Sequence, residues 1–332
     1  MRNRRRPLRL QLMKTGLVLG GGGLVGMGYH AGVLKALQEA GTEPGASDVI
    51  VGTSAGAIVA AYLAAGKTVD DLYHEAQGNG PPEMSGPEAF EADIKALFTP
   101  LWSNRVERMR RIGGAIFAYT AATGYWARVS GSKVPGRRLR ARFPAGLYSS
   151  SATEERLRRE LPAQWPRHDL YCAAVELYSG RRVALSSANT PPRSFVTAVL
   201  ASSAIPGVFP PVRMHGRYYV DGGIAGAVSL DVAVKQGCER ITLVAPLGWR
   251  PEAGVRTLSS ELWKPMLARS LNARTINREI AAARAQGAEI LVLRPWLDEL
   301  PVLGYNAMAY HDRVAVVEAA RLNTSRVLEA QG

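Results

Sequence analysis

Cysteine and histidine are both scarce in this sequence, with two and five residues respectively among 332. Cys172 and Cys238 lie in apolar segments, without the spacing of metal ligands and without a nearby pair of histidines. We therefore expect two buried thiols, and we expect neither a zinc site nor any other metal or cofactor. A disulfide between them is left open, because nothing in the sequence argues for one.

The sequence also lacks an uninterrupted apolar run that would cross a membrane. Residues 17–34 come nearest, but they contain a run of four glycines, a tyrosine and a histidine, and they begin with a β-rich stretch. The basic start, MRNRRRPLRLQLMK, is not followed by the apolar stretch of a signal peptide. We therefore expect a cytoplasmic protein whose residues 1–13 form a disordered basic tail, with electrostatic attachment to anionic lipid as the alternative.

Acidic residues are outnumbered, 28 against 41 basic ones, which leaves a formal net charge of +13. A surface of this sign attracts polyanions such as nucleic acid, an anionic membrane or an acidic partner. Because arginine far outnumbers lysine, a bias in composition explains the charge equally well. We expect no nucleic-acid partner, we keep peripheral contact with an anionic membrane open, and we predict no particular oligomeric state.

What the sequence does contain begins with an alternation of short apolar strands and helices. Residues 15–20 predict a buried strand that ends in glycine, and a glycine-rich turn leads into an apolar helix at about 26–40. A second strand is predicted at 48–51 and an apolar, hence buried, helix at 54–65. This order predicts an α/β fold with a mostly parallel central sheet flanked by helices.

The remainder of the chain continues the α/β pattern after an irregular insertion at about 78–150. That insertion mixes apolar patches with Gly, Pro and Arg, and it fits either a helical packing layer or a lipid interface beside a site. Further strands are predicted at 169–175, 181–186, 241–246 and 288–295, and further helices at 194–202, from near Asp231, at 258–286 and at 312–329. We predict one domain over 14–332, with its core at 15–246 and a helical part at 250–332.

The stretch Gly52-Thr53-Ser54-Ala55-Gly56 lies between a predicted strand and a predicted helix. A strand–turn–helix context is what a G-x-S-x-G nucleophile elbow requires. The serine backbone is strained there, and glycines two residues to either side remove Cβ atoms that would collide. The amides at the start of the following helix favour negative charge at the same place. The alternative is a serine that caps the helix with its side chain.

A second glycine-rich stretch, GGGGLVG at 20–26, contains G-x-G-x-x-G at Gly21, Gly23 and Gly26. A dinucleotide site would also need an acidic residue near the end of the second strand, but Asp48 lies at the beginning of that strand. The alternative use of the glycines is a nest of bare backbone N–H groups around an oxyanion.

A nucleophilic serine needs a base, and the histidines do not supply an obvious one. They are His30, His74, His168, His215 and His311. His311 has the right order for an α/β-hydrolase triad, but that fold places its elbow after several strands rather than after one. A third stretch, Asp221-Gly222-Gly223, follows the predicted strand GRYYV, and an aspartate at a strand end followed by two glycines is common in turns.

Four stretches, LVLGGGGLVGMGYHAGVLKAL, VGTSAGA, ASSAIPGVFPPV and YVDGG, together resemble the patatin-like phospholipase family in order and spacing, over about residues 15–246. The resemblance implies a mostly parallel sheet between helices and a Ser–Asp dyad without a metal. Ser54 would be the nucleophile and Asp221 the general base. For the carboxylate to act on a serine hydroxyl, we expect it to be partly desolvated.

The resemblance also implies that the glycine-rich loop forms the oxyanion hole. Gly22 and Gly23 would be central, with Gly21, Leu24 and the Ala55 amide beside them. The motif glycines are Gly26, Gly52, Gly56, Gly222 and Gly223. Many family members carry Arg or Lys before the last glycine of the loop, where this sequence has Val25.

The function predicted from these motifs is that of a serine lipid acyl hydrolase, of the phospholipase A, lysophospholipase or esterase type. The substrate would be a lipid or another ester, and the missing loop cation leaves a neutral ester as suitable as a phospholipid. The alternatives are a membrane-associated binding or scaffold protein with an inactive site, and, more remotely, a nucleotide-binding module.

Overall fold

The structure is a computed structural model that describes residues 13–79, 95–123, 145–250, 260–308 and 312–330. Apart from Met13, the predicted basic tail lies outside the described residues. His311 and parts of the predicted insertion lie outside them as well.

The described residues form one eight-stranded sheet. Its strands are β1 (Thr15–Leu19), β2 (Val49–Thr53), β3 (Leu170–Glu176), β4 (Arg182–Leu185), β5 (Val212–Met214), β6 (Arg217–Asp221), β7 (Arg240–Val244) and β8 (Glu289–Leu293). Their order is β5-β6-β3-β2-β1-β7-β8, with β4 paired to β3. The run from β3 to β8 is parallel, whereas β4, β5 and β6 pair antiparallel. The predicted mostly parallel α/β sheet is therefore confirmed.

Helices cover the sheet and begin close to the predicted positions. They are α1 (Gly23–Glu39), α2 (Ala55–Ala64), α3 (Val69–Gln77), α4 (Arg105–Ala122), α5 (Ser151–Glu160), α6 (Phe195–Ser203), α7 (Leu230–Lys235), α8 (Ser260–Arg284), α9 (Leu300–Leu303) and α10 (Arg313–Glu329). Helix α1 begins at Gly23 rather than near residue 26, because the glycine-rich loop itself supplies the first helical turn. Helices α3, α5 and α9 and strand β5 were not among the predicted elements.

Alternating side chains of the central strands supply two hydrophobic cores. Leu17 and Leu19 of β1 face the core that includes α1, α2, α6 and α10, whereas Val18 faces the core that includes α7 and α8. Successive side chains of a strand point to opposite faces, so a strand with helices on both sides is apolar throughout. The result is a helix–sheet–helix sandwich.

The edge of β3 next to β2 is shared by two strands. Thr53 of β2 pairs with Ala173, and Asp221 of β6 pairs with the next residue, Ala174. Strand β4 pairs with the other edge of β3 at both Ala173 and Ala174. Strands β2 and β6 must therefore pair one after the other along the same edge of β3. The ends of β2 and β6 therefore meet, and each is followed by one of the predicted site motifs.

Candidate active site

Ser54 stands between β2 and α2 with φ 54° and ψ −122°, in the left-handed region that a non-glycine residue rarely adopts. The flanking glycines are required sterically. A Cβ at Gly52 would lie 2.4 Å from the Cα of Ala57, and a Cβ at Gly56 would lie 2.1 Å from the carbonyl oxygen of Leu19. The turn therefore has the strained, crowded geometry of a nucleophile elbow.

The side chain of Ser54 does not cap α2, although the residue occupies the N-cap position. It is buried, and its hydroxyl group is near enough to the carboxylate of Asp221 to lower the pKa of that group. The alternative interpretation of Ser54 as a side-chain helix cap is wrong, because the side chain makes no capping hydrogen bond to the amides of α2.

Asp221 is buried at the end of β6, and backbone contacts hold it on both sides. Its N–H donates to the carbonyl oxygen of Ala204 at 2.9 Å, and its Oδ1 accepts from the N–H of Gly223 at 2.7 Å. A Cβ at Gly222 would lie 2.4 Å from the carbonyl oxygen of Ala173, so this glycine lets the chain turn tightly against β3.

Burial raises the pKa of Asp221 from 3.8 to about 6. The hydrogen bonds from Ser54 and from the Gly223 amide act in the opposite direction and offset part of that rise. The carboxylate is therefore a stronger base than an exposed aspartate, while it is still largely ionised at neutral pH. This is the partial desolvation that the Ser–Asp pair was expected to need.

Ser202, at the end of α6, connects the elbow to the sheet. Its hydroxyl group donates to the carbonyl oxygen of Ala173 at 2.6 Å and accepts from the N–H of Ser54 at 3.1 Å. Sequence reasoning did not single out this residue. Its only signal was its position within ASSAIPGVFPPV, a motif that could not reveal which of its small residues faces Ser54.

The glycine-rich loop passes directly against Ser54. A Cβ at Gly21 would lie 3.5 Å from the Cβ of Ser54. The loop is anchored by the N–H of Gly20, which donates to Val244, and by the N–H of Gly21, which donates to Ala227, each at 2.8 Å. The Gly21 amide is thereby occupied, which corrects its predicted place among the oxyanion donors.

The next amides of the loop belong to the first turn of α1, where a helix has no internal acceptors. Among the described residues, no hydrogen-bond acceptor faces the N–H groups of Gly22, Gly23 and Leu24, nor that of Ala55 at the start of α2. The two helix starts are neighbours, since a Cβ at Gly26 would contact the Cβ of Ala55 at 3.7 Å. Two positive dipole ends therefore lie together beside Ser54.

His30 lies fully buried on α1, and it supports the loop rather than the serine. Its Nε2 lies 2.7 Å from the carbonyl oxygen of Gly20, to which it donates. Burial lowers its pKa to about 4, which keeps the ring neutral at ordinary pH. The histidines of the described ranges, which exclude His311, make no hydrogen bond to Ser54 or Asp221.

The C-terminal part of the chain also reaches the glycine-rich loop, which the motifs did not predict. The N–H of Val25 donates to the carbonyl oxygen of Ala307 at 3.1 Å, and a Cβ at Gly23 would lie 2.5 Å from that oxygen. Val25 itself is buried among apolar side chains of α1 and its neighbours. The position that carries a cation in many relatives is here part of the core.

The two cysteines are free and buried, as predicted. Burial raises the pKa of Cys172 to about 12 and that of Cys238 to about 11. Across the parts of the chain that the structure describes, no three His, Cys, Asp or Glu side chains gather as metal ligands. Within the same parts, no helix combines the length and the apolar character needed to span a membrane.

Comparison with known proteins places this geometry in a family. The family model described as patatin-like phospholipase matches residues 17–234, which includes the glycine-rich loop, the elbow and the strand that ends at Asp221. This match covers more than half of the chain, and it agrees with the sheet described above.

Three solved structures are distantly similar to the chain, and each matches 96% of it. VipD from Legionella pneumophila matches with a TM-score of 0.44 at 17% identity over 67% of its own length. The type III effector protein ExoU matches with a TM-score of 0.37 at 18% identity over 53% of its length. The heterodimeric ExoU–SpcU complex of Pseudomonas aeruginosa matches with a TM-score of 0.39 at 18% identity over 51% of the matched chain.

The chain spans about half to two thirds of the length of these structures, and the similarities are too distant to add to the assignment. The assignment comes from the family match and from the order of the four motifs on a mostly parallel sheet. This chain belongs to the patatin-like phospholipase family.

Proposed function

We propose that the chain is a serine lipid acyl hydrolase in which Ser54 attacks an ester carbonyl carbon while Asp221 accepts the serine proton. The observation that carries the proposal is that these two buried side chains come together at the meeting point of β2 and β6, where the Ser54 hydroxyl lowers the pKa of the Asp221 carboxyl. A buried serine on a strained turn, facing a carboxylate of raised pKa, has little use in packing and a clear one in catalysis.

In the first half of the reaction, the Ser54 oxygen bonds to the carbonyl carbon and its proton passes to Asp221. The resulting oxyanion would accept hydrogen bonds from the amides of Gly22, Gly23, Leu24 and Ala55, which face no other acceptor among the described residues. Each preorganised donor of this kind contributes about 3 to 4 kcal/mol to the transition state. Protonated Asp221 then returns the proton to the departing alcohol as the ester bond breaks.

In the second half, water attacks the acyl-serine, and Asp221 takes the proton of that water. The acid is released when the bond to the Ser54 oxygen breaks and the hydroxyl group regains its proton. The same carboxylate serves both halves, which needs a base that is ionised at the start of each step. A pKa of about 6 meets this condition at neutral pH and above.

The family supports a lipid ester as the substrate. With Val25 buried in the core, the loop offers no cation at that position to a phosphate group. We therefore propose that head-group charge is not selected by the loop, so that phospholipids, lysolipids and neutral acyl esters are all to be compared as substrates.

The experiment that tests the proposal is labelling with a fluorophosphonate, followed by mass spectrometry of the modified peptide. We expect labelling at Ser54 in the wild-type chain, none in Ser54→Ala, and strongly slowed labelling in Asp221→Asn. Ser187 is an internal control, because its hydroxyl group lies 3.0 Å from the Nδ1 atom of His168, in a serine–histidine pair away from the proposed site.

A folded wild-type protein that takes up no label, or that is labelled at Ser187 as readily as at Ser54, would contradict the proposal. In that case the chain is better described as a binding or scaffold protein with an inactive site. Turnover of a short-chain ester, measured on the same three proteins, gives an independent second test.

A further inference from the structure

Helix α4 (Arg105–Ala122) packs on strands β3 and β6 through one face of small residues. Ala118, Ala121 and Ala122 are buried against Val175 and Val220. Val175 follows the Ala174 that pairs with Asp221, and Val220 directly precedes Asp221. The buried alanines of α4 therefore cover the face of β3 and β6 that carries Val175 and Val220, and successive side chains of a strand alternate, so the Asp221 side chain belongs to the other face.

The opposite face of α4 exposes large apolar side chains to solvent. Val106 is 71% exposed, Met109 67%, Ile116 62% and Tyr119 56%. Val106 and Met109 are three positions apart, Met109 and Ile116 seven, and Ile116 and Tyr119 three, so successive members fall near one another on the helix and the four side chains form a broad stripe opposite the buried alanines. A surface helix of a soluble domain usually places polar residues there, and a continuous exposed apolar stripe indicates an interaction surface.

The surroundings of the stripe are basic. Helix α4 carries arginines at 105, 108, 110 and 111 and a single acidic residue, Glu107. Glu107 is already engaged, since it accepts from the N–H of Ser103 at 2.9 Å and bridges to Arg111 at 3.3 Å. The helix therefore adds a local excess of positive charge to a chain whose net charge is +13.

Aromatic side chains flank the basic end of α4. The Arg108 guanidinium lies 5.5 Å from the centre of the Trp102 ring, and the rings of Trp102 and Tyr148 are 5.6 Å apart. Trp and Tyr rings combine an apolar body with a polar edge, which suits the boundary between head groups and acyl chains. An apolar stripe bordered by arginines and aromatic rings matches the composition of helices that lie in a membrane interface.

We propose that the exposed face of α4 docks the protein on an anionic lipid surface. The positive charge of α4 favours an anionic lipid surface as the binding partner. The stripe would insert among the acyl chains while the arginines contact the acidic head groups. The purpose of docking rests on the proposed hydrolase function, but docking itself does not require catalysis.

The experiment measures binding of the full chain, in a Ser54→Ala background, to vesicles of phosphatidylcholine alone and of equimolar phosphatidylcholine and phosphatidylserine. We expect binding to the anionic vesicles, weakened about tenfold by Ile116→Asp, because a charged side chain opposes insertion of the stripe. Arg105→Glu should weaken binding to anionic vesicles by roughly tenfold and leave binding to neutral vesicles unchanged. This variant places an acid in the first turn of α4, where it favours the helix.

Leu322→Asp is the matched control, because Leu322 is an exposed leucine on α10 that receives the same charge. It should bind vesicles as the Ser54→Ala protein does. The proposal is overturned if the Ser54→Ala protein does not bind anionic vesicles, or if Ile116→Asp and Leu322→Asp bind them equally. Failure to bind lipid would turn attention to a protein partner for the same stripe.

Docking and catalysis are separated by repeating the substitutions with Ser54 intact. With a water-soluble short-chain ester, Ile116→Asp should keep the wild-type kcat/KM, whereas hydrolysis of vesicle lipid should fall with vesicle binding. If the wild-type chain does not hydrolyse the soluble ester, the proposed function is contradicted, whereas the result of the vesicle-binding measurement is unaffected. Equal losses on both substrates would overturn the docking proposal.

Discussion

The hydroxyl group of Ser202 accepts a hydrogen bond from the backbone N–H of Ser54 at 3.1 Å. The same hydroxyl donates to the carbonyl oxygen of Ala173 on β3 at 2.6 Å. Ser54 has a left-handed φ, so its backbone needs external support to keep the conformation. Ser202 provides that support by linking the backbone of Ser54 to Ala173 of β3, and the next residue of β3, Ala174, pairs with Asp221.

We expect Ser202→Ala to lower kcat about tenfold or more with little change in KM, because a buried N–H left without its acceptor costs about 1 to 3 kcal/mol. Ser203→Ala is the matched control, since the Ser203 hydroxyl bonds only to carbonyls of its own helix, Val199 and Leu200. Steady-state kinetics of both variants test this. Equal kcat values would remove the positioning role from Ser202.

The raised pKa of Asp221 predicts the acidic limb of the pH–rate profile. The carboxylate works as a base only when ionised, so kcat/KM should fall as the pH drops through about 6. Circular dichroism at each pH shows whether the protein stays folded over the same range. A limb centred near 4 instead would indicate an ordinary, solvated carboxylate and would contradict the desolvation argument.

Asp221→Asn should be inactive and yet more stable than the wild type. The folded-state pKa of about 6 lies above the unfolded value of 3.8, so the folded state is penalised once the pH exceeds 6 and is not penalised well below pH 4. The neutral amide removes that penalty, and we expect the free energy of unfolding to rise by about 1 to 3 kcal/mol at pH 8.

Chemical denaturation at pH 8 and at pH 4 measures this difference, which should shrink at the lower pH. Asp48→Asn is a control of opposite sign, because hydrogen bonds from Thr15 lower the pKa of Asp48. That variant should be destabilised at pH 8. If Asp221→Asn is no more stable than the wild type at pH 8, burial of the ionised Asp221 carboxylate does not lower the free energy of unfolding.

Gly22→Ala should damage the oxyanion loop. The added Cβ would lie 2.5 Å from the Cα of Gly26 and 3.0 Å from the Cβ of Pro246, so the first turn of α1 has to move. Loss of one donor of this kind lowers kcat by about a hundredfold or more. Gly45→Ala, where the added Cβ meets no atom within 4 Å, should keep wild-type kinetics. Unaltered activity in Gly22→Ala would contradict the proposal that the amides of the first turn of α1 donate hydrogen bonds to the oxyanion.

Local sequence predicted the central strands and the helices α1, α2 and α6, because these segments are predominantly apolar and several are bounded by glycine, as at Gly20, Gly41 and Gly66. Boundaries at the glycine-rich loop were less predictable. Residues 23–25 read as part of a loop, but the contact of Val25 with Ala307 lets α1 start at Gly23. The predicted oxyanion set had to be reduced for a similar reason, since the acceptor for Gly21, Ala227, is distant in sequence.

The sequence by itself determined the elements and the elbow. Gly52 is required by contacts within the turn itself, with Gly56 and Ala57, and this requirement can be read locally. Gly56 is required by its contact with Leu19 of β1, which only the tertiary structure reveals. The tertiary structure alone decided that β6 follows β2 along β3, that Ser202 supports Ser54, and that Asp221 is buried enough for its pKa to rise. Strand pairing and desolvation depend on atoms brought together from distant parts of the chain, and no local pattern encodes them.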